Sequence, residues 1–349
     1  MRIKPINIIA LCAILSASCN PYKIEIPDWG DYEHLENNDE VSEVEYPVPG
    51  VEKVKTVLTN SWAETKIADG VTHYYFSGND DISGQKQNVN VLEVDLNNDS
   101  HYISFVHVSP ADSTSAVAQK NGAIAAINAT YEMPAVYVRL NGYNQSTVTL
   151  SPDIQSEWER YWKHNAAIVS DGRRKIGIVN GARGMESTDE GGDAAIDLYN
   201  RLPEKWILAS APMLIDDYDP VGERFVPSSL TSSDLNKLNY EDYRRHQGVR
   251  HPRTAVALTA DNDLLLIVVD GRAGKSAGMS AKELTLFIQK HFNPQWALNM
   301  DGGGSSTMYI KGYGDPVNDV LNYPTDNDTW DHYGQRTVRT HICVCPVNK

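Results

Sequence analysis

The chain has 349 residues, 41% of them hydrophobic and 22% charged, a balance that argues against a disordered or fibrous protein and suffices for one large domain or two small ones. Its net charge of −15 argues against general nucleic-acid binding, which needs a basic footprint. Any anionic ligand must therefore meet positive charge that is concentrated locally.

At the N-terminus, Arg2 and Lys4 precede an apolar stretch from Ile8 to Leu15 and the small residues Ser16-Ala17-Ser18. This is the pattern of an export signal, too short to span a bilayer. Cys19 follows directly, as in a bacterial lipobox, although Ser16 stands where leucine is usual. The pattern predicts cleavage before Cys19 and lipidation of its sulfur; the plainer alternative is an ordinary signal peptide cleaved nearby. Residues 1–18 are then a signal peptide, 19–50 an acidic, proline-punctuated linker, and 51–349 the folded body. Val41, Val44 and Val48 leave open that part of the linker docks as an edge strand. Removing the signal takes two positive charges and no negative ones, leaving −17. No later segment has about 18 apolar residues in a row, so a lipid anchor would be the only membrane attachment.

Beyond the linker, hairpin signals recur. Val89 to Asp95 alternates at period two, Asn97-Asn98-Asp99 turns, and His101 to Val108 alternates back. Similar turns stand at Asn141-Gly142, Asp171-Gly172 and Asp261-Asn262-Asp263, which predicts a largely antiparallel sheet. Helices are expected from Ser113 to Asn121, closed by Gly122, and from Ser280 to His291, closed by Asn293-Pro294. The second opens with the capping box Ser280-Ala281-Lys282-Glu283 and carries Leu284, Phe287, Ile288 and Phe292 on one face. Residues 181–195 and 216–250 read as long surface loops of the kind that rim a site. The fold class is thus α+β, with the site on loops at strand ends.

Cys12 belongs to the signal, which leaves Cys343 and Cys345 in the body, two apart in a strand-like run. A bridge between them would be strained, so two buried thiols are expected. Gly271 to Ser276 follows an apolar strand but has two intervening residues where a phosphate-binding loop needs four. Gly274-Lys275-Ser276-Ala277-Gly278 matches a nucleophile-elbow pattern without the tight strand-to-helix turn that the elbow requires.

The stretch from Trp296 to Gly312, WALNMDGGGSSTMYIKG, is the most informative. An apolar strand delivers Asp301, Gly302-Gly303-Gly304 and Ser305-Ser306 before a second strand begins near Thr307. Three glycines in a row belong where backbone turns sharply or approaches something closely, and successive loop N–H groups could form an anion-binding nest. The simpler alternative is a polar, glycine-rich hairpin.

HPRTAVAL, LLLIVVDGR, GMSAKELTLFI, WALNMDGGGSSTMYIKG, LNYP and GQRTVRTHICV occur in an order and at spacings that resemble the phosphodiester glycosidase family, over roughly residues 85–346. Upstream, AIAAINATYE is similar to a family segment in which two glycines and two aromatics are usual where Ala129 to Glu132 stand here. The resemblance implies hydrolysis of a sugar 1-phosphodiester, of N-acetylhexosamine 1-phosphate type, in a glycan or cell-envelope polymer.

That chemistry needs positive charge on the phosphate, carboxylates near the anomeric carbon and an oriented water. Arg253 suits the phosphate, with Thr254 and the amides of Gly302, Gly303 and Gly304 as neutral donors; a structural salt bridge is its competing role. Asp301 is the first candidate for a catalytic carboxylate, followed by Asp270 and Glu132. Asn128 and Asn299 suit the orienting of neighbours, Ser305 and Ser306 suit hydrogen bonding, and Arg336 suits either the C-terminal strand or the phosphate. His251 could reach the site, whereas His107 and His341 read as core residues. No cofactor is required, although several carboxylates could hold a divalent cation. Two alternatives remain: a non-catalytic glycan-binding lipoprotein that uses the same pocket, and a metal-dependent phosphodiesterase that cuts the P–O bond.

Overall fold

The computed structural model describes residues 62–148, 162–172, 174–182 and 188–347; the export signal, Cys19 and the acidic linker lie outside them. The strands, in chain order, are β1 (Trp62–Ala68), β2 (Val71–Asp80), β3 (Gln85–Asp95), β4 (His101–Asp112), β5 (Ala125–Asn128), β6 (Tyr137–Leu140), β7 (Tyr143–Thr147) and β8 (Ala166–Ser170). They continue with β9 (Ile176–Asn180), β10 (Trp206–Ser210), β11 (Met213–Ile215), β12 (Arg253–Leu258), β13 (Asp263–Val269), β14 (Trp296–Asn299), β15 (Met308–Ile310) and β16 (Val338–Pro346). The α-helices are α1 (Thr114–Lys120), α2 (Thr188–Arg201), α3 (Ser232–Leu235), α4 (Tyr243–Gly248) and α5 (Ala281–Phe292).

Three sheets result: β1-β2-β3-β13-β12-β14-β11, β7-β6-β10-β8-β9, and β15-β5-β16-β4, with every pairing between these strands antiparallel. The chain is α+β, as expected. One apolar core is shared by all three sheets, with Leu92, Val256 and Leu266 from the first, Ile168 and Leu208 from the second, and Ile127 and Ile342 from the third. Each sheet is backed on its other face by one helix. Leu284, Phe287 and Ile288 of α5 cover the first, Ala195, Leu198 and Tyr199 of α2 the second, and Ala118 of α1 the third. Central strands are therefore buried on both faces, and β12 and β13 are buried at every position. That is why DLLLIVV is a continuous apolar run although its neighbours are antiparallel.

Three of the expected hairpins form, β6–β7, β8–β9 and β12–β13. The fourth does not. β3 pairs with β2 and β13, whereas β4 pairs with β16, so the turn at Asn97 to Asp99 passes the chain from one sheet to another. Alternation reports which faces are buried, not which strand is the partner.

Both expected helices are present, with Ser113 and Ser280 as N-caps and a complete Ser280–Glu283 capping box. Asn293 closes α5 in the left-handed conformation. The expected loop at 181–195 is corrected, because α2 begins at Thr188. Gly191 and Gly192 hid a pattern whose buried face continues through Leu198, Tyr199 and Leu202. The 216–250 segment is likewise broken by α3 and α4. Cys343 and Cys345 are both free thiols buried in β16. No helix among the described residues is long and apolar enough to cross a membrane.

Candidate active site

The ends of β5 and β14 and the start of β12 converge on one side chain. Asn128, fully buried, accepts from Thr254 Oγ1 at 2.8 Å and from the Thr307 N–H at 3.1 Å, and its Nδ2 donates to the Asp301 main-chain oxygen at 2.7 Å. The Asp301 N–H donates to Ala129 O at 2.9 Å. The glycine-rich loop leaves β14 in the seven-stranded sheet and enters β15 in the four-stranded one, so it is a crossing between sheets and not a hairpin.

Each of the three glycines is required by a different part of the protein. A Cβ would lie 2.7 Å from Pro252 O at Gly302, 3.0 Å from Arg272 Nη2 at Gly303 (φ +64°), and 2.3 Å from Asp326 Oδ1 at Gly304. Several N–H groups of the expected anion nest are used within the protein. The Gly303 N–H donates to Pro252 O, those of Ser305 and Ser306 close a 3₁₀ turn onto Gly302 O and Gly303 O, and that of Gly302 serves the Asp301 carboxylate.

Beside this loop lies a cavity of about 250 Å³, lined by Asp301, Glu132, Arg253, Gly302, Gly303, Ser305 and Arg336 among the residues singled out from the sequence. Burial pushes Asp301 up to about 6, against the Ser305 hydroxyl, the charges of Arg336 and Lys163 and the Gly302 N–H, all of which favour the carboxylate. Near neutral pH the group is ionised but poised. Glu132 stands exposed on the rim.

Arg253 is 1% exposed and has a different function from a free phosphate fork. Its Nε donates to Met279 O at 2.8 Å, Nη1 to Gln247 Oε1 at 2.9 Å, and Nη2 to the carbonyls of His246 and Val249 at 3.0 and 2.9 Å. The guanidinium thus caps the last carbonyls of α4. These acceptors are neutral, and burial lowers its pKa, so a cation sits at the cavity wall with no carboxylate bonded to it. It offers the cavity a field more than a set of donors. Arg336 pairs with Asp326, and Lys163 with Glu241 and the faces of Tyr131 and Trp162. The acidic chain has gathered four cations around one pocket, Lys163, Arg253, Arg336 and Arg339.

The other candidates lie behind the cavity. Thr254 and Asn128 form the joint described above, and Gly304 packs against Asp326 and Arg336. Asp270 does not line the cavity. Its Oδ1 accepts from Asn322 Nδ2 at 3.0 Å and the Tyr323 N–H at 2.9 Å, while burial pushes it up to about 7 against those two bonds. Asn322 Nδ2 also holds Ser306 O at 3.0 Å, so Asp270 and Ser306 brace the loop from its far side. An Asp-Gly pair at a strand end says nothing of which side of the sheet the carboxylate will face.

His251 lines the cavity with its pKa pushed down to about 3, by burial first and then by Arg253, Arg272 and Arg245, so it is a neutral imidazole. Tyr131, from the AIAAINATYE segment, also lines it, as do Lys163, Tyr240 and His246, which sequence reasoning missed. Lys163 comes from a segment without a motif, and for Tyr240 and His246 the only signal was the length of the 216–250 stretch. Among the described residues, no group of three or more His, Cys, Asp or Glu side chains could hold a metal ion.

A family model described as phosphodiester glycosidase matches residues 114–345. The catalytic domain of zebrafish N-acetylglucosamine-1-phosphodiester alpha-N-acetylglucosaminidase, auto-inhibited by its pro-peptide, superposes with a TM-score of 0.50 at 17% identity, over 83% of this chain and 85% of that one. A hypothetical protein from Synechocystis gives a TM-score of 0.49 at 15% identity, over 82% of this chain and 64% of that one. An uncharacterized SPbeta prophage-derived protein of Bacillus subtilis, YomE, is 38% identical over 65 residues, 18% of this chain and 10% of that protein. The chain thus covers about a tenth of the curated relative that it matches.

Proposed function

This chain belongs to the phosphodiester glycosidase family, and on that premise we propose that it hydrolyses a sugar 1-phosphodiester, releasing the sugar and leaving the phosphate on its carrier. The observation that carries the reading is one cavity in which the poised carboxylate of Asp301 faces the charges of Lys163, Arg253 and Arg336.

Cleavage of the bond between the anomeric carbon and the phosphate oxygen leaves the electron pair on the phosphate, whose charge rises as the bond stretches. Cations fixed beforehand in a partly dehydrated pocket stabilise that charge more in the transition state than in the ground state. Arg253 suits this task because main-chain carbonyls hold it without neutralising it. A phosphate monoester departs without a strong general acid. The carboxylate is then needed on the sugar side, to stabilise positive charge on the anomeric carbon or to take a proton from water. Asp301 fills that role in this reading, with Glu132 on the rim as the second carboxylate.

The substrate class proposed is an α-linked N-acetylhexosamine 1-phosphate in a glycan or cell-envelope polymer, supported by the family and by the named activity of the zebrafish enzyme. Export and lipidation at Cys19 complete the proposal and rest on the sequence of the first nineteen residues. The test is incubation with a methyl diester of N-acetylglucosamine 1-phosphate. Free sugar and methyl phosphate support the reading; a sugar retained but never released points to a glycan-binding protein, and sugar 1-phosphate as product points to a phosphodiesterase.

A further inference from the structure

Tyr240, between α3 and α4, lines the cavity and yet is 45% exposed. Single exposed aromatics are common on protein surfaces, so exposure alone means little. What sets Tyr240 apart is that its ring is held in place. The Arg245 guanidinium lies 5.7 Å over its centroid, the His246 ring meets it at 5.3 Å and 63°, and His251 stands at 6.3 Å. Arg245 is itself fixed by donation to Leu238 O at 2.8 Å. The next residue, Glu241, pairs with Lys163 and accepts from Trp162 Nε1 at 3.0 Å through its main-chain oxygen. An aromatic ring is thus presented rigidly at the mouth of a cavity whose other walls carry charges.

The charged walls suit the phosphate, and the ring does not: an aromatic face carries negative potential and repels an anion. The weakly positive C–H face of a pyranose matches it. We propose that Tyr240 is a stacking platform for the apolar face of the substrate's sugar ring, a specificity-determining residue that sets sugar affinity while leaving bond cleavage to the carboxylate and the cations. This rests on the phosphodiester glycosidase reading of the same cavity.

The test compares Tyr240→Phe, Tyr240→Trp and Tyr240→Ala on the methyl diester of N-acetylglucosamine 1-phosphate. Loss of one stacking face raises KM of the alanine variant roughly five- to tenfold with kcat within about twofold, and inhibition by free N-acetylglucosamine weakens by the same factor. The phenylalanine and tryptophan variants stay within about threefold of the parent KM. A phenylalanine variant as impaired as alanine would instead identify a hydroxyl contact and overturn the platform, as would an unchanged KM in Tyr240→Ala or a fall confined to kcat. Should the parent chain turn nothing over, NMR titration with free N-acetylglucosamine decides separately. Binding kept by Tyr240→Phe and lost by Tyr240→Ala upholds the platform although hydrolysis has failed, and absence of sugar binding to the parent overturns both.

Discussion

Asn128 donates to the main-chain oxygen of Asp301 at 2.7 Å across 173 residues of sequence. Because the same side chain accepts from Thr254 and Thr307, one buried amide ties together the two sheets whose strand ends carry the site. Replacing Asn128 by alanine leaves three buried polar groups without partners. We expect a loss of about 2–4 kcal/mol in urea unfolding and a fall in kcat of more than about tenfold, since the Asp301 backbone loses its anchor.

The acid limb of activity should belong to Asp301. Burial holds this group at about 6, and the reaction requires it ionised, so kcat/KM rises with pH through about 6 and then levels. The charge of Arg336 favours the carboxylate, so Arg336→Met moves the limb to higher pH. A profile flat between pH 5 and 8 would remove Asp301 from the rate-determining chemistry.

Asp270 should govern stability more than turnover. Its acid is raised from 3.8 to about 7 in the folded chain, so the stability contributed by the protonated form is complete below pH 3.8 and is lost as pH rises through about 7. Asp270→Asn mimics the protonated acid and escapes that loss. Its unfolding free energy relative to the parent therefore improves between pH 4.5 and 8, by an amount on the order of a few kcal/mol. Activity is retained within about tenfold, because the carboxylate does not line the cavity.

Arg253 holds α4 in place as well as supplying charge. Arg253→Met abandons the carbonyls of Met279, His246 and Val249, with a stability loss of about 3–5 kcal/mol. Arg253→Lys keeps the charge and loses the fork; it falls between the two in thermal unfolding and retains more activity than methionine.

The sequence made legible what local chemistry dictates. The capping box at Ser280, the turn pairs at Asn141, Asp171 and Asp261, and the strand–glycine–strand run at Asp301 all reflect interactions within a few residues. What it hid depends on distant partners. The same Asp-Gly logic applied to Asp270 and Asp301 could not reveal that Asn322 and Tyr323 would enclose one of them. Nor did the glycine run disclose its close approaches to Pro252, Arg272 and Asp326. The arginine expected to grip phosphate is occupied by the end of a helix that the sequence pattern left as loop. Lys163 and Tyr240 reach the cavity from segments with no recognisable pattern.

The most direct measurement is hydrolysis of a sugar 1-phosphodiester in ¹⁸O-labelled water by the parent chain and by Asp301→Asn, with both products analysed by mass spectrometry. The account predicts label in the released sugar, none in the phosphate, and a kcat at least about 1,000-fold lower for a fully folded Asp301→Asn, an effect of about 4 kcal/mol. Label in the phosphate, or an asparagine variant that turns over like the parent, would contradict it.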